Sequence, residues 1–184
     1  MRDDMKPSEV QSRVFSGQLL VVAAHKVSAS LDSFSGWLVA GFGAALALFI
    51  ANLDTVSAFI DPYNIKCAAI LFIVSAVLAT FEKLIAAFVA SGTAAGIEGA
   101  ALGKDLAERE VDLDITTCFA ETKKALYWPG SVFSSRAFAK AQSGDFAGPG
   151  RMYVKIGQIQ ALVVIIQAAL SLAAAAVIVC GLAV

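Results

Sequence analysis

The chain has 184 residues, of which 58% are hydrophobic and only 16% charged, and its formal net charge is −1. Its mean hydropathy is +0.75. An ordinary soluble domain is about 25% charged, so this composition argues against a soluble enzyme domain, a disordered chain and a nucleic-acid-binding module, and a charge near zero supplies no field that steers a polyanion.

Taken in chain order, the sequence predicts an all-α integral membrane protein. Its parts are an N-terminal amphipathic helix, three transmembrane helices and a small helical cytoplasmic region. The start, Met1 to Phe15, mixes Arg2 and Lys6 with Asp3, Asp4 and Glu9 and lacks the basic start and early apolar run of a secretory signal, so no cleavage is expected. Residues 1–32 form the first part. Pro7 followed by Ser8, Glu9, Val10 and Gln11 fits a capping box. Val10, Val14, Phe15, Leu19, Val21 and Val22 make an apolar stripe opposite Gln11, Arg13, Gln18 and Lys26. Gly17 inside this helix costs ~1 kcal/mol against Ala, so a bend is expected there.

Residues 33–91 read as a two-span hairpin. Positions 33–53 carry no charge, which meets the length that a membrane helix needs. Small residues give this span close-packing faces, at Ala40, Ala44, Ala47 and Ala51 and at Gly41 and Ala45. Asp61-Pro62-Tyr63-Asn64 signals a turn. The second span is uncharged only over 67–81, or ~22 Å at the helical rise, short of the ~30 Å hydrocarbon core. The helix is therefore expected to run on to about Ala90, with Glu82 and Lys83 inside the inner half of the membrane.

Residues 92–155 read as a cytoplasmic helical extension and loop. Gly92, Gly96, Gly99 and Gly103 fall on one helical face, which is expensive unless close backbone approach rewards it. Residues 98–114 are acidic and 115–156 basic. Trp128-Pro129-Gly130 breaks the helical pattern, Ser131 is expected to cap a helix to about Gln142, and residues 144–150 form a turn. A last helix then starts near Pro149, and the uncharged residues 156–184 make the third span.

Of the 14 basic residues, all but Lys66 and Lys83 lie in the N-terminal segment or in 92–156. This places the N-terminus and the long loop in the cytoplasm, and the loop 54–66 and the C-terminus on the opposite side. Trp37 and Tyr153 then mark the inner boundary, and Phe59 and Tyr63 the outer one. A bacterial inner membrane is the expected setting.

No nucleotide-binding, hydrolase or metalloprotease motif occurs, so no enzyme and no cofactor are expected. A single histidine, His25, cannot supply bis-His haem ligation or a His-rich metal site. Cys67 and Cys180 fall at similar depth among apolar residues, and a disulfide between them is not expected.

Three groups of residues carry the functional expectation. Glu82 and Lys83 are ionisable groups inside a span, which suits either a pore-lining or gating charge or a structural pairing. Gln160, Gln167 and Ser171 share a face of the third span with Val164. They suit either interhelical hydrogen bonds worth ~1 kcal/mol each or a polar pore wall. Lys123, Lys124, Arg136, Lys140, Arg151 and Lys155, with Tyr127 and Trp128 among them, suit contact with lipid headgroups, a cytoplasmic protein or a polyanionic ligand. The small and polar faces together suggest homo-oligomers, packed through Gly41, Ala45, Gly92, Gly96, Gly99 and Gly103.

The arrangement over residues 8–114, an amphipathic helix, a tight two-span hairpin and a long helical extension, resembles that of small bacterial two-span effector proteins of the SLATT type. That resemblance implies oligomers that form membrane pores in anti-phage defence. The third span departs from the two-span arrangement. The first expectation is a homo-oligomeric channel or pore-type effector, gated from the cytoplasmic side by a ligand or partner. The second is a non-conducting membrane subunit that anchors or scaffolds a larger complex.

Overall fold

The computed structural model describes residues 7–111, 114–127 and 130–182. Its helices are α1 (Pro7–Ala51), α2 (Leu53–Val56), α3 (Pro62–Glu108), α4 (Ile115–Ala125), α5 (Gly130–Gln142) and α6 (Gly148–Cys180). Among the described residues the β pairing is a single antiparallel bridge, Ile60 with Leu182. Three helices, α1, α3 and α6, are long and apolar enough to cross a membrane. The protein is therefore an all-helical membrane protein with three candidate spans.

Two local boundaries differ from the sequence expectation. The amphipathic segment and the first span are one uninterrupted helix of 45 residues. No proline or glycine separates them, and Asp32, which marks the expected break, is held by Lys83 across the helix pair. Since α1 already includes Pro7, Ser8 lies within the helix and does not cap it; its carbonyl accepts from Ser12 Oγ at 2.8 Å. The second difference concerns Asp61-Pro62-Tyr63-Asn64, which starts α3 and is not the whole reversal. Pro62 takes the first helical position, where a missing N–H costs nothing. Asp61 accepts from the Tyr63 N–H through Oδ1 and from the Asn64 N–H through its carbonyl, both at 2.9 Å. The chain reverses through α2 and residues 57–60.

The chain divides into two compact units, whose boundaries fall within α1, α3 and α6. Unit 1 comprises Met1–Lys26 and Val89–Ile156, and unit 2 comprises Val27–Phe88 and Gly157–Val184.

Unit 2 is polar inside and apolar outside. On α6 the buried positions are Gly157, Gln160, Val164, Gln167, Ser171 and Ala174. On α3 they are Ile65, Ala68, Ser75, Ala79, Glu82 and Ala86, and on α1 Ser28 and Ser35. Steps alternating between three and four keep a stripe on one side of a helix, as in coiled-coil seams. The small side chains let the helices approach closely. The outward residues are large and apolar: Trp37 and Leu48 on α1, Ile73 and Phe81 on α3, Leu162 and Leu172 on α6. Lipid solvates such a surface, so it needs no partner to be stable. The Asp61 N–H donates to Gly181 O at 3.4 Å, and Asn64 lies against Gly181. The loop 54–66 and the end of α6 thus meet at one end of this unit.

Unit 1 is held by close approaches at glycine. A Cβ on Gly17 would meet Phe146 O at 2.6 Å, and one on Gly150 would meet Gly17 O at 2.6 Å and Leu20 Cβ at 2.9 Å. Gly17, read from sequence as a weak point in a helix, is therefore where α1 admits other backbone. Tyr153 lies over Gly92, with its Cε1 2.8 Å from where a Cβ would stand. His25 Nδ1 and Thr93 Oγ1 are 3.0 Å apart. Thr93 Oγ1 also lies within hydrogen-bond distance of the backbone carbonyls of Val89, at 2.7 Å, and Ala90, at 3.1 Å. Phe119 of α4 stacks on Phe138 of α5 at a centroid distance of 4.3 Å.

The turn before α6 is fixed by charge and by one glycine in a left-handed conformation. Gly144 has φ +84°, which an L side chain rarely adopts. Arg151 then grips both carboxylate oxygens of Asp145, each at 2.6 Å.

Asp114 caps α4. Its Oδ1 accepts from the Thr116 N–H at 2.9 Å and its Oδ2 from the Thr117 hydroxyl. The Thr117 hydroxyl bond, followed by the backbone bonds, holds this carboxyl below the usual carboxylate range. A carboxyl that ionises more easily when folded stabilises the cap above its unfolded pKa, and that stability is lost as pH falls through the lowered folded value. We expect amide protection at Thr116 and Thr117 to fall on acidification through that range. Asp114→Ala should show low protection at every pH by hydrogen exchange, and a wild-type profile flat in pH would count against the cap.

Candidate functional site: a layered polar core

The candidate site is the interior of unit 2, which α1, α3 and α6 build in two layers. Each helix contributes polar residues seven positions apart: Ser28 and Ser35, Ser75 and Glu82, Gln160 and Gln167. Seven residues are two helical turns, so each pair faces one way at levels ~10 Å apart. All six are buried: Ser35, Glu82, Gln160 and Gln167 are 0% exposed, Ser75 1% and Ser28 2%.

One layer is closed on itself. Gln167 Oε1 accepts from Ser35 Oγ at 2.8 Å, and Gln167 Nε2 returns a bond to Ser35 O at 3.2 Å. Ser75 Oγ lies 3.1 Å from Gln167 O and 2.9 Å from Ser171 Oγ. All three helices are thereby tied together. Their polar atoms are satisfied without water, as the interior of a membrane protein requires.

The other layer is not closed. Gln160 Nε2 uses its two protons on Ser28 O at 3.1 Å and Glu82 Oε1 at 2.5 Å. Ser28 Oγ, Glu82 Oε2 and Gln160 Oε1 are buried with no hydrogen-bond partner. The nearest basic residue in sequence does not serve Glu82. Lys83 points the other way and donates to Asp32 Oδ1 at 2.6 Å and to Asp32 O at 2.9 Å.

The structure thus brings Glu82, Gln160, Gln167 and Ser171 together inside one chain and sends Lys83 to the surface of the helix pair. Ser28, Ser35 and Ser75 belong to the same core and were not singled out from sequence. Their signal was the shared interval of seven, visible only when the three helices are compared.

The glycine and basic groups are more scattered. Gly92 is packed, whereas Gly41, Gly96, Gly99 and Gly103 have nothing within 4 Å of where a Cβ would stand. Ala45 is exposed beside Gly41. In the basic segment Lys124 pairs with Glu121 at 2.6 Å, and Arg151 with Asp145. Arg136, Lys140 and Lys155 are exposed. The side chain of Lys123, and Trp128 and Pro129, lie outside the described residues. Cys67, Cys118 and Cys180 are free thiols.

The chain matches no known protein-family model, no curated protein and no solved structure.

Proposed function

We propose that the chain is a non-conducting membrane subunit that anchors or scaffolds a larger complex. One observation carries this reading: of the side chains expected to line a pore, Glu82, Gln160, Gln167 and Ser171 are turned into the chain's own core and hydrogen-bonded there, and Lys83 is paired with Asp32 outside it. Over Phe34–Ala51 of α1 and Ile159–Val179 of α6, every exposed residue is apolar or glycine. A ring lined by α1 or α6 would enclose a hydrophobic wall, whereas conduction calls for polar or charged lining; α3 alone of the three exposes polar groups at this level, Thr80 and the Asp32-paired Lys83. The exposed Ile97, Leu102 and Tyr127 of unit 1 offer apolar area for a cytoplasmic partner. The basic-residue bias favours a cytoplasmic N-terminus and a C-terminus across the membrane, and a bacterial inner membrane is the setting we infer.

The homo-oligomeric channel or pore-type effector is the second reading. It is favoured by the open space at Gly41, Gly96, Gly99 and Gly103, where a second copy could approach closely. Extraction in a mild detergent separates the two. The anchoring reading expects stoichiometric co-purification of a different protein, and no conductance after reconstitution in liposomes. A discrete homo-oligomer that conducts would replace it with the second reading.

A further inference from the structure

The two layers of unit 2 use similar residues, and only one of them closes. In the closed layer a serine hydroxyl donates to the glutamine Oε1. In the other, Ser28 Oγ makes no such bond and Gln160 Oε1 is left bare. The difference between the layers is the third side chain, Ser75 in one and Glu82 in the other. Glu82 brings a carboxylate to a position that is 0% exposed, and Lys83 is committed to Asp32. A buried carboxylate without a counter-charge costs several kcal/mol.

The Gln160 amide thus joins a serine and a carboxylate, and each of the three side chains keeps one buried oxygen with nothing bound to it, beside one uncompensated negative charge. As placed, none of the three bonds another, so the Ser28 hydroxyl does not close the layer by itself. A water molecule could bond all three and would leave the charge. A metal cation meets both requirements, because hard cations take carboxylate, amide and hydroxyl oxygens as ligands. One carboxylate balances one positive charge, which selects a monovalent ion over a divalent one. We propose that Glu82 Oε2, Gln160 Oε1 and Ser28 Oγ form a binding site for a single monovalent metal cation of the sodium type. Glu82 Oε1, which accepts one bond from Gln160, keeps a second lone pair for the same ion.

The test is thermal unfolding of the purified full chain in detergent. NaCl replaces choline chloride at constant ionic strength and fixed pH. The wild type is expected to gain stability with NaCl and to saturate, as a ligand bound only by the folded state requires. Glu82→Gln, which keeps the shape and removes the charge, should lose the dependence. Ser28→Ala should raise the half-saturating concentration by about tenfold, the equivalent of one ligand bond of ~1.4 kcal/mol. The proposal is overturned if the wild type is indifferent to NaCl, if Glu82→Gln responds as strongly, or if only a change of pH moves the wild type.

Discussion

Gln160→Leu is expected to cost about 3–5 kcal/mol of stability, and Gln167→Leu only about 2 kcal/mol. Both substitutions delete one amide and keep nearly the same volume. Gln167 exchanges two side-chain bonds with Ser35, 2.8 and 3.2 Å long. Interhelical bonds of this kind are worth ~1 kcal/mol each within a membrane protein. Gln160 is different because it is the hydrogen-bond donor to a buried carboxylate, with its Nε2 2.5 Å from Glu82 Oε1. Removing it strands the charge. The double variant Gln160→Leu with Glu82→Met should recover most of the loss, since a buried polar pair replaced by apolar residues is often neutral. Denaturation of the wild type, Gln160→Leu, Glu82→Met and the double variant in one detergent supplies the cycle. Equal losses for the two glutamines, with no rescue, would mean that Glu82 is not served by Gln160.

Glycine to alanine should act in opposite directions at different places along the chain. Gly150→Ala is expected to destabilise by about 1–3 kcal/mol, the range for overpacking. Its new Cβ would stand 2.6 Å from Gly17 O and 2.9 Å from Leu20 Cβ, and the carbonyl belongs to a helix that cannot shift alone. Gly17→Ala meets Phe146 O at the same 2.6 Å and should behave alike. At Gly96 and Gly99 nothing stands within 4 Å, so alanine there should stabilise the isolated chain by up to ~1 kcal/mol through helix propensity. Thermal unfolding reads both signs. A gain at Gly150 would contradict the close approach, and a loss at Gly96 would mean that another surface already covers that face.

The three long helices were legible because charge-free runs leave little choice of environment. Residues 33–53 and 156–184 fall within α1 and α6 almost entirely. The continuity of α1 was not legible. A charge such as Asp32 reads as a boundary until its partner is known, and Lys83 lies 51 positions away. The same holds for the polar core. Gln160 and Gln167 stood out as large amides in an apolar run. Ser28, Ser35 and Ser75 did not, because a serine in a membrane helix can bond its own backbone and so announces nothing. Which serine meets which amide depends on the register of three helices, and each helix alone specifies only its face. Glycine shows the same limit. Its presence signals either close approach or indifference, and Gly17 and Gly103 differ only in what the fold brings near them.

The central claim is that the polar stripe of the third span is sealed inside each chain. The direct measurement is thiol accessibility in native membranes. Cys67, Cys118 and Cys180 are first changed to serine, and single cysteines are placed by Ser35→Cys and Ser171→Cys, with Ser57→Cys, exposed just after α2, as the control. A membrane-impermeant maleimide should label the control and leave Ser35→Cys and Ser171→Cys unmodified until the protein is denatured. Labelling of either inner position in the native membrane at the control's rate would place water along that stripe and contradict the account.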